Sequence, residues 1–185
     1  MGERIERMIS GNDPNFTDVD IYPYCDGRYP HLMHALSNNN QMTDLNIMFV
    51  RRRMDPDLRS LVHCLSARVS LKKVVILYGD LRDVPDVDRC LRGLAGNSSI
   101  EYLTLDYTCM SYQYLTLLLT SQGSNIKALV LQSVHLVSSD GFGMDELATA
   151  FRENKSLQCL TLNNDKYNEF FVHCYHEWPF RQFQT

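Results

Sequence analysis

The chain has 185 residues, of which 44% are hydrophobic and 22% are charged, values close to those of ordinary soluble globular proteins. This composition excludes a wholly disordered chain, and the formal net charge of −4 argues against a nucleic-acid binder that relies on a strongly basic face. Six cysteines without C-x-x-C spacing, no signal-peptide-like apolar run and no window of ~20 apolar residues together predict a cytoplasmic protein with reduced thiols.

The N-terminal segment contains the least regular part of the pattern. Ile5 and Ile9 lie at helical spacing and are followed by Gly11-Asn12-Asp13-Pro14, which is typical of a helix end and a turn. The next residues, 16–21, place apolar side chains at the first, fourth and sixth positions. This segment is interpreted as a degenerate first unit of a repeat that continues along the chain.

The same apolar-x-x-apolar-x-apolar spacing returns five more times along the chain, at similar but not identical intervals. The six copies are Phe16/Val19/Ile21, Met42/Leu45/Ile47, Leu71/Val74/Ile76, Ile100/Leu103/Leu105, Ile126/Leu129/Leu131 and Leu157/Leu160/Leu162. We predict strands near residues 19–21, 45–49, 74–77, 103–106, 129–132 and 160–162.

Helical spacing precedes the strand motif in the middle units. Leu32 and Leu36 lie one helical turn apart and shortly before Met42, and both of these intervals recur in the next two units. An amphipathic helix that leads into a strand is therefore predicted in each unit, and strands connected through helices run parallel. Asparagines recur in the turn between helix and strand, where tolerance of the left-handed conformation predicts a helix C-cap. These residues are Asn39, Asn97 and Asn154.

The period and spacing resemble the leucine-rich repeat, and the length of the units, each with a full helix, is similar to that of its ribonuclease-inhibitor-like subclass. The resemblance implies an α/β fold, a right-handed solenoid forming a horseshoe fragment, with about six parallel inner strands and outer helices. We expect one array over residues 1–165 with an N-terminal cap repeat. The sequence departs from the family after each strand, where the usual Asn or Cys is replaced by Val50, Gly79, Thr108, Val134 or Asp165.

Residues 166–185 follow the last copy and are rich in aromatic side chains. Two interpretations remain open: the segment caps the apolar end of the array, or it docks onto a partner through its aromatic residues. Within it, His173-Cys174-Tyr175-His176 offers three possible zinc ligands without a fourth at ordinary spacing, so no metal site is predicted.

No motif for phosphate binding, nucleophilic catalysis or metalloprotease chemistry occurs in the sequence. We therefore expect a non-catalytic scaffold without a cofactor, which binds a protein rather than a nucleic acid, a membrane or a small molecule.

The predicted binding surface is the concave side of the sheet, where the residues between the core positions point. Phe49, Tyr78 and Tyr107 occupy the same repeat position in three successive units, and adjacent parallel strands would align them in a row. They either pack beneath the loops as additional core or anchor a partner. The full predicted set is Met48, Phe49, Tyr78, Asp106, Tyr107, Gln132 and Asn163.

Arg51-Arg52-Arg53 follows the second predicted strand at the same edge, and so short a charge run usually belongs to a solvated loop. The subclass named above includes inhibitors, GTPase activators, actin-filament end cappers and substrate receptors of ubiquitin ligases. The resemblance therefore supplies an alternative function, a GTPase activator that uses this arginine loop.

Overall fold

The computed structural model describes residues 9–14, 17–21, 35–36, 38–48, 65–66, 70–77, 87–138, 143–163 and 183–184. Its strands are β1 (Asp18–Ile21), β2 (Asp44–Met48), β3 (Lys73–Leu77), β4 (Tyr102–Asp106), β5 (Cys109–Ser111), β6 (Ala128–Gln132), β7 (His135–Val137), β8 (Cys159–Asn163) and β9 (Phe183–Gln184). The helices are α1 (Val87–Gly96), α2 (Tyr112–Thr120) and α3 (Met144–Glu153).

Seven of the strands form one sheet in the order β1-β2-β3-β4-β6-β8-β9, and each neighbouring pair runs parallel. The register places Leu45, Val74, Leu103, Leu129 and Leu160 side by side, which is the alignment predicted from the repeat. Each of the six predicted strands begins one residue earlier than expected. The predicted mixed α/β fold with a parallel sheet is confirmed.

The core lies between this sheet and the helices. Leu103 and Leu105 are at most 1% exposed, and they share one hydrophobic cluster with Leu115 of α2 and Phe151 of α3. Ile9, Leu36 and Leu65 are helical residues of earlier units and join the same cluster. Successive strand residues point to opposite sides of the sheet, so every second residue faces away from the helices.

A second, two-stranded parallel sheet was not predicted. It pairs β5, which follows β4 in the chain, with β7, which follows β6. In this pairing Cys109 lies opposite His135. Tyr107 and Ser133, at equivalent positions in the two units, connect the sheets with φ angles of 49° and 50°. This left-handed backbone turns the chain out of the large sheet and allows three further residues of each unit to pair.

The asparagines between helix and strand act differently from the prediction. The backbone of Asn154 is extended, with φ −67° and ψ 127°, and neither Asn39 nor Asn97 is among the non-glycine residues of positive φ. The left-handed C-cap prediction is therefore wrong. Each side chain instead donates a hydrogen bond to a helical carbonyl of the preceding unit, 2.6 Å away in all three cases. The acceptors are Ile9, Leu65 and Leu119.

The oxygen of each side-chain amide stabilises the turn that follows the asparagine. Oδ1 of Asn39 accepts hydrogen bonds from the backbone N–H groups of Gln41 and Met42, at 2.9 and 2.8 Å. Oδ1 of Asn154 does the same for Ser156 and Leu157, at 3.0 and 2.7 Å. One side chain thus satisfies the carbonyl end of one helix and the turn that starts the next strand.

Candidate functional site

The side of the large sheet opposite the helices is called the open face here. Its side chains form three rows across the strands. The first row is Asp44, Lys73, Tyr102, Ala128 and Cys159, the second is Asn46, Val75, Thr104, Val130 and Thr161, and the third is Leu77, Asp106, Gln132 and Asn163. In the segments that the structure describes, the helices contribute their buried side chains only to the other side of this sheet.

A shallow depression of about 580 Å³ is lined by the first row from Asp44 to Ala128 and by Thr104 and Val130 of the second row. Val75, Thr104 and Val130 are partly exposed and form a largely apolar strip across β3, β4 and β6. Tyr102 stands beside the strip with half of its surface exposed. A partly apolar strip next to an exposed aromatic ring is the composition that protein interfaces use at their centres.

A row of charged side chains lies where the strands begin, and one of them, Lys72, lines the depression. Lys72, Glu101 and Lys127 each precede a strand at the same repeat position, and the backbone N–H of each later one bonds the carbonyl of the one before. The Glu101 carboxylate lies 3.0 Å from the Lys127 ammonium and 3.7 Å from that of Lys72. Hydrogen bonding and charge from Lys127, assisted by Lys72, lower the pKa of Glu101 despite some desolvation. Glu101 is therefore a carboxylate held between two cations at neutral pH.

The other end of the open face carries a partly buried carboxylate. Oδ1 of Asp106 is buried and has no hydrogen-bond partner among the residues that the structure describes. Burial raises the pKa of Asp106, and a hydrogen bond with the backbone N–H of Tyr107 offsets part of this increase. Tyr107 follows it with 54% of its surface exposed. A buried acceptor without a donor is costly in a native structure unless a ligand, ion or water supplies the donor.

The predicted site residues fall into two groups. Asp106, Gln132 and Asn163 occupy adjacent positions of the third row, and the backbone of Met48 aligns with Leu77 in that row. Tyr107 directly follows Asp106, just beyond the end of β4. Phe49 and Tyr78 lie outside the described residues, as do the Arg51–Arg53 loop and the 173–176 cluster, so the aromatic row stays a prediction.

Sequence reasoning missed the charged set before the strands and the exposed Tyr102. The available signal was position: Lys72, Glu101 and Lys127 all follow the first apolar residue of their copies directly. Alternating charge at one repeat position predicts a ladder across parallel strands, because equivalent residues become neighbours.

The described segments contain no group of three His, Cys, Asp or Glu side chains that could hold a metal ion. No helix within them is long and apolar enough to cross a bilayer.

Comparison with known proteins adds the fold relationship. No protein-family model and no curated protein matches the sequence. Solved structures do match. The C-terminal domain of tropomodulin from Caenorhabditis elegans has 16% identity and a TM-score of 0.50, over 95% of this chain and 91% of that one. The actin-binding site 2 of leiomodin-1 has 14% identity and a TM-score of 0.52, over 96% of this chain and 88% of that one.

This chain shares the fold of tropomodulin and leiomodin domains. At identities of 14 and 16% the likeness concerns the fold alone. It corrects the subclass expected from the sequence: the assignment to the ribonuclease-inhibitor-like subclass is wrong, because the matched folds are those of tropomodulin and leiomodin. The length of the helical unit was too general a feature to separate one group of repeat proteins from another.

Proposed function

We propose that this chain is a non-catalytic protein-binding module whose open face, the concave side of a right-handed leucine-rich-repeat solenoid, contacts a protein partner. The observation that carries the proposal is that Oδ1 of Asp106 is buried and has no hydrogen-bond partner in the described part of the chain. It lies beside the half-exposed Tyr107, at one end of a sheet face that the described helices leave uncovered. A partner that donates a hydrogen bond to this oxygen removes the cost of the unsatisfied acceptor.

The remaining features of the open face suit a protein better than a small molecule. The depression is shallow and spans several strands, whereas small-molecule sites are enclosed clefts. The two ends of the open face differ in charge, with lysines beside Glu101 where the strands begin and Asp106 where β4 ends. Such a pattern orients an elongated partner along the strands.

Actin is the first partner to test, because one structure of the same fold is described as an actin-binding site of leiomodin-1. The alternative function, GTPase activation, has no support: the Arg51–Arg53 loop lies outside the described residues, and neither matched structure is described as acting on a GTPase.

Site-specific photo-crosslinking tests the proposed face. A benzophenone amino acid replaces Tyr102 or Tyr107 on the open face, and Gln113, exposed on α2, serves as the matched position on the helical side. With monomeric and filamentous actin as probes, we expect adducts from the first two positions and none from Gln113. Adducts from Gln113 alone would contradict the open-face proposal.

The actin assignment is tested separately from the face. If actin gives no adduct at any position, the same three variants are irradiated in a native lysate. Adducts confined to Tyr102 and Tyr107 would keep the binding face and exclude actin. Equal labelling at all three positions would exclude both.

We also propose that residues 166–185 cap the array. Phe183 and Gln184 pair in parallel with Leu160 and Thr161, so part of the segment occupies the edge of β8. An occupied edge is protected from pairing with another chain. This pairing supports the cap over the docking interpretation.

A further inference from the structure

A thiol and an imidazole face each other on the small sheet, which is separate from the large sheet that carries the open face. The parallel register of β5 and β7 makes Cys109 and His135 direct neighbours. Sγ of Cys109 lies 3.4 Å from Nδ1 of His135, within the range of a sulfur hydrogen bond. Cys109 is not part of a disulfide and is partly exposed, and His135 is exposed, so small solutes reach the pair.

The geometry suits proton transfer from sulfur to nitrogen. When Nε2 carries the imidazole proton, Nδ1 has a lone pair directed at the thiol and accepts its hydrogen bond. The thiolate rather than the thiol is the nucleophile, and a neighbouring imidazole increases its population by taking up the proton. Both side chains are fixed by backbone pairing of their strands, which reduces the entropy lost in bringing them together.

We propose that Cys109 is a site of reversible oxidation, with hydrogen peroxide or another hydroperoxide as the oxidant and His135 as the proton acceptor. The thiol proton moves to Nδ1, and the thiolate attacks one peroxide oxygen. An S–O bond forms while the O–O bond breaks, so sulfur loses two electrons and the peroxide gains them. The leaving hydroxide takes the proton from the imidazolium and departs as water, which leaves a sulfenic acid.

The chain contains its own control. Cys159 is also a thiol and also partly exposed, but it lies at the start of β8 on the open face. Among the described residues its sulfur has no hydrogen-bond partner, and its neighbour across the sheet is Ala128. The imidazole of His135 lies beside Cys109, and no histidine of the described segments pairs with Cys159 across the sheet.

The test treats the full-length reduced protein with hydrogen peroxide at neutral pH and traps sulfenic acids with dimedone. Mass spectrometry of the peptides gives a labelling rate for each cysteine in the same molecules. We expect Cys109 to react at least about fivefold faster than Cys159, as expected for a thiol activated by histidine. Equal rates, or a faster Cys159, would overturn the proposal without any variant.

Two variants then test His135. His135→Gln keeps a hydrogen-bond acceptor but cannot hold the proton, so the Cys109 rate should fall to near that of Cys159, which itself stays constant. In His135→Ala, added imidazole should restore part of the Cys109 rate. Thermal melting of both variants shows whether the fold is retained. An unchanged Cys109 rate in folded His135→Gln would remove the proton-acceptor role.

Discussion

Adjacent valines on β3 test the two faces of the sheet at the scale of single residues. Val74 is fully buried in the core, whereas Val75 lies on the open face and is partly exposed. We expect Val74→Ala to lower the free energy of unfolding by about 2 kcal/mol or more, from two buried methyl groups and the cavity they leave. Val75→Ala should cost less than about 1 kcal/mol, the span of strand propensity. Equal losses in urea titrations would contradict the assignment of faces.

The pKa of Glu101 reports the charge ladder directly. We expect Lys127→Gln to raise this pKa toward the ordinary value, and Lys72→Gln to raise it less, because Lys72 is the more distant cation. Carboxyl-carbon NMR titrations of both variants check the order. A larger effect from Lys72 would show that the ion pairs are arranged differently in solution.

The sign of the pH dependence follows from the lowered pKa. A carboxyl group whose pKa is lower in the folded state than in the unfolded state stabilises the fold at pH values above its unfolded-state pKa. This contribution is lost as the pH falls through the folded-state pKa. Glu101 therefore makes the chain less stable in acid. The loss should be smaller in Lys127→Gln than in the unchanged chain when acid unfolding is followed by circular dichroism.

At the scale of elements, the asparagine contacts between successive units are testable with neighbouring residues. Asn39 is 3% exposed and bonds Ile9 of the preceding unit, whereas Asn40 is exposed. We expect Asn39→Ala to cost about 1–3 kcal/mol, because it leaves a buried carbonyl and buried N–H groups unpaired. Asn40→Ala should change stability by less than about 0.5 kcal/mol. Denaturant midpoints of the two variants distinguish them, and coincident midpoints would exclude the bridging role.

Two glycines mark a close approach between units. A Cβ on Gly123 would lie 2.9 Å from the carbonyl oxygen of Gly96, whereas a Cβ on Gly96 would meet nothing within 4 Å. We expect Gly123→Ala to cost about 1–3 kcal/mol through backbone displacement. Gly96→Ala, at the end of α1, should leave stability unchanged or raise it by up to about 1 kcal/mol. A scan of melting temperatures suffices, and a destabilised Gly96→Ala would contradict this packing.

The elements were predictable to different degrees, for physical reasons. The strand β4 has two buried residues separated by one partly exposed residue. The spacing of Leu103 and Leu105 therefore predicted the bounds of β4 to within one residue. The small sheet was not predictable, since β5 has only three residues and depends on the left-handed turn at Tyr107. A tyrosine in that conformation is set by tertiary contacts rather than by local preference. Asn97 was recognised as a repeat feature, but its bond to Leu65 is a contact between units that local rules omit.

At the scale of the whole molecule, the central question is whether Tyr107 serves binding or stability. It is 54% exposed, so Tyr107→Ala should barely change the melting curve. Binding of the partner found by crosslinking should weaken by more than about 1 kcal/mol, the level of an important contact. Gln113→Ala on α2 is the control for both measurements. A stability loss of about 3–5 kcal/mol would instead identify Tyr107 as a core residue and contradict its role as an anchor for the partner.

The candidate site was predictable only where repeat position determines it. Asp106, Gln132 and Asn163 were found because equivalent residues of parallel strands become neighbours. The burial of Asp106 Oδ1 could not be predicted from the sequence, because it depends on how closely the chain packs around that atom. The identity of a partner depends on the combination of side chains on the open face, which a fold shared at 14 to 16% identity does not specify.

The constant register of the large sheet has a consequence for how such a surface diversifies over generations. Inserting one residue into a strand would exchange its core and open-face side chains, so a change of strand length would disrupt the core. The strands β2, β3, β4, β6 and β8 are all equally long, while the stretches of chain between the copies differ in length. We therefore expect insertions and deletions to be tolerated in the connections, and substitutions at positions such as Val75, Thr104 and Val130 to change the open face without disturbing the core.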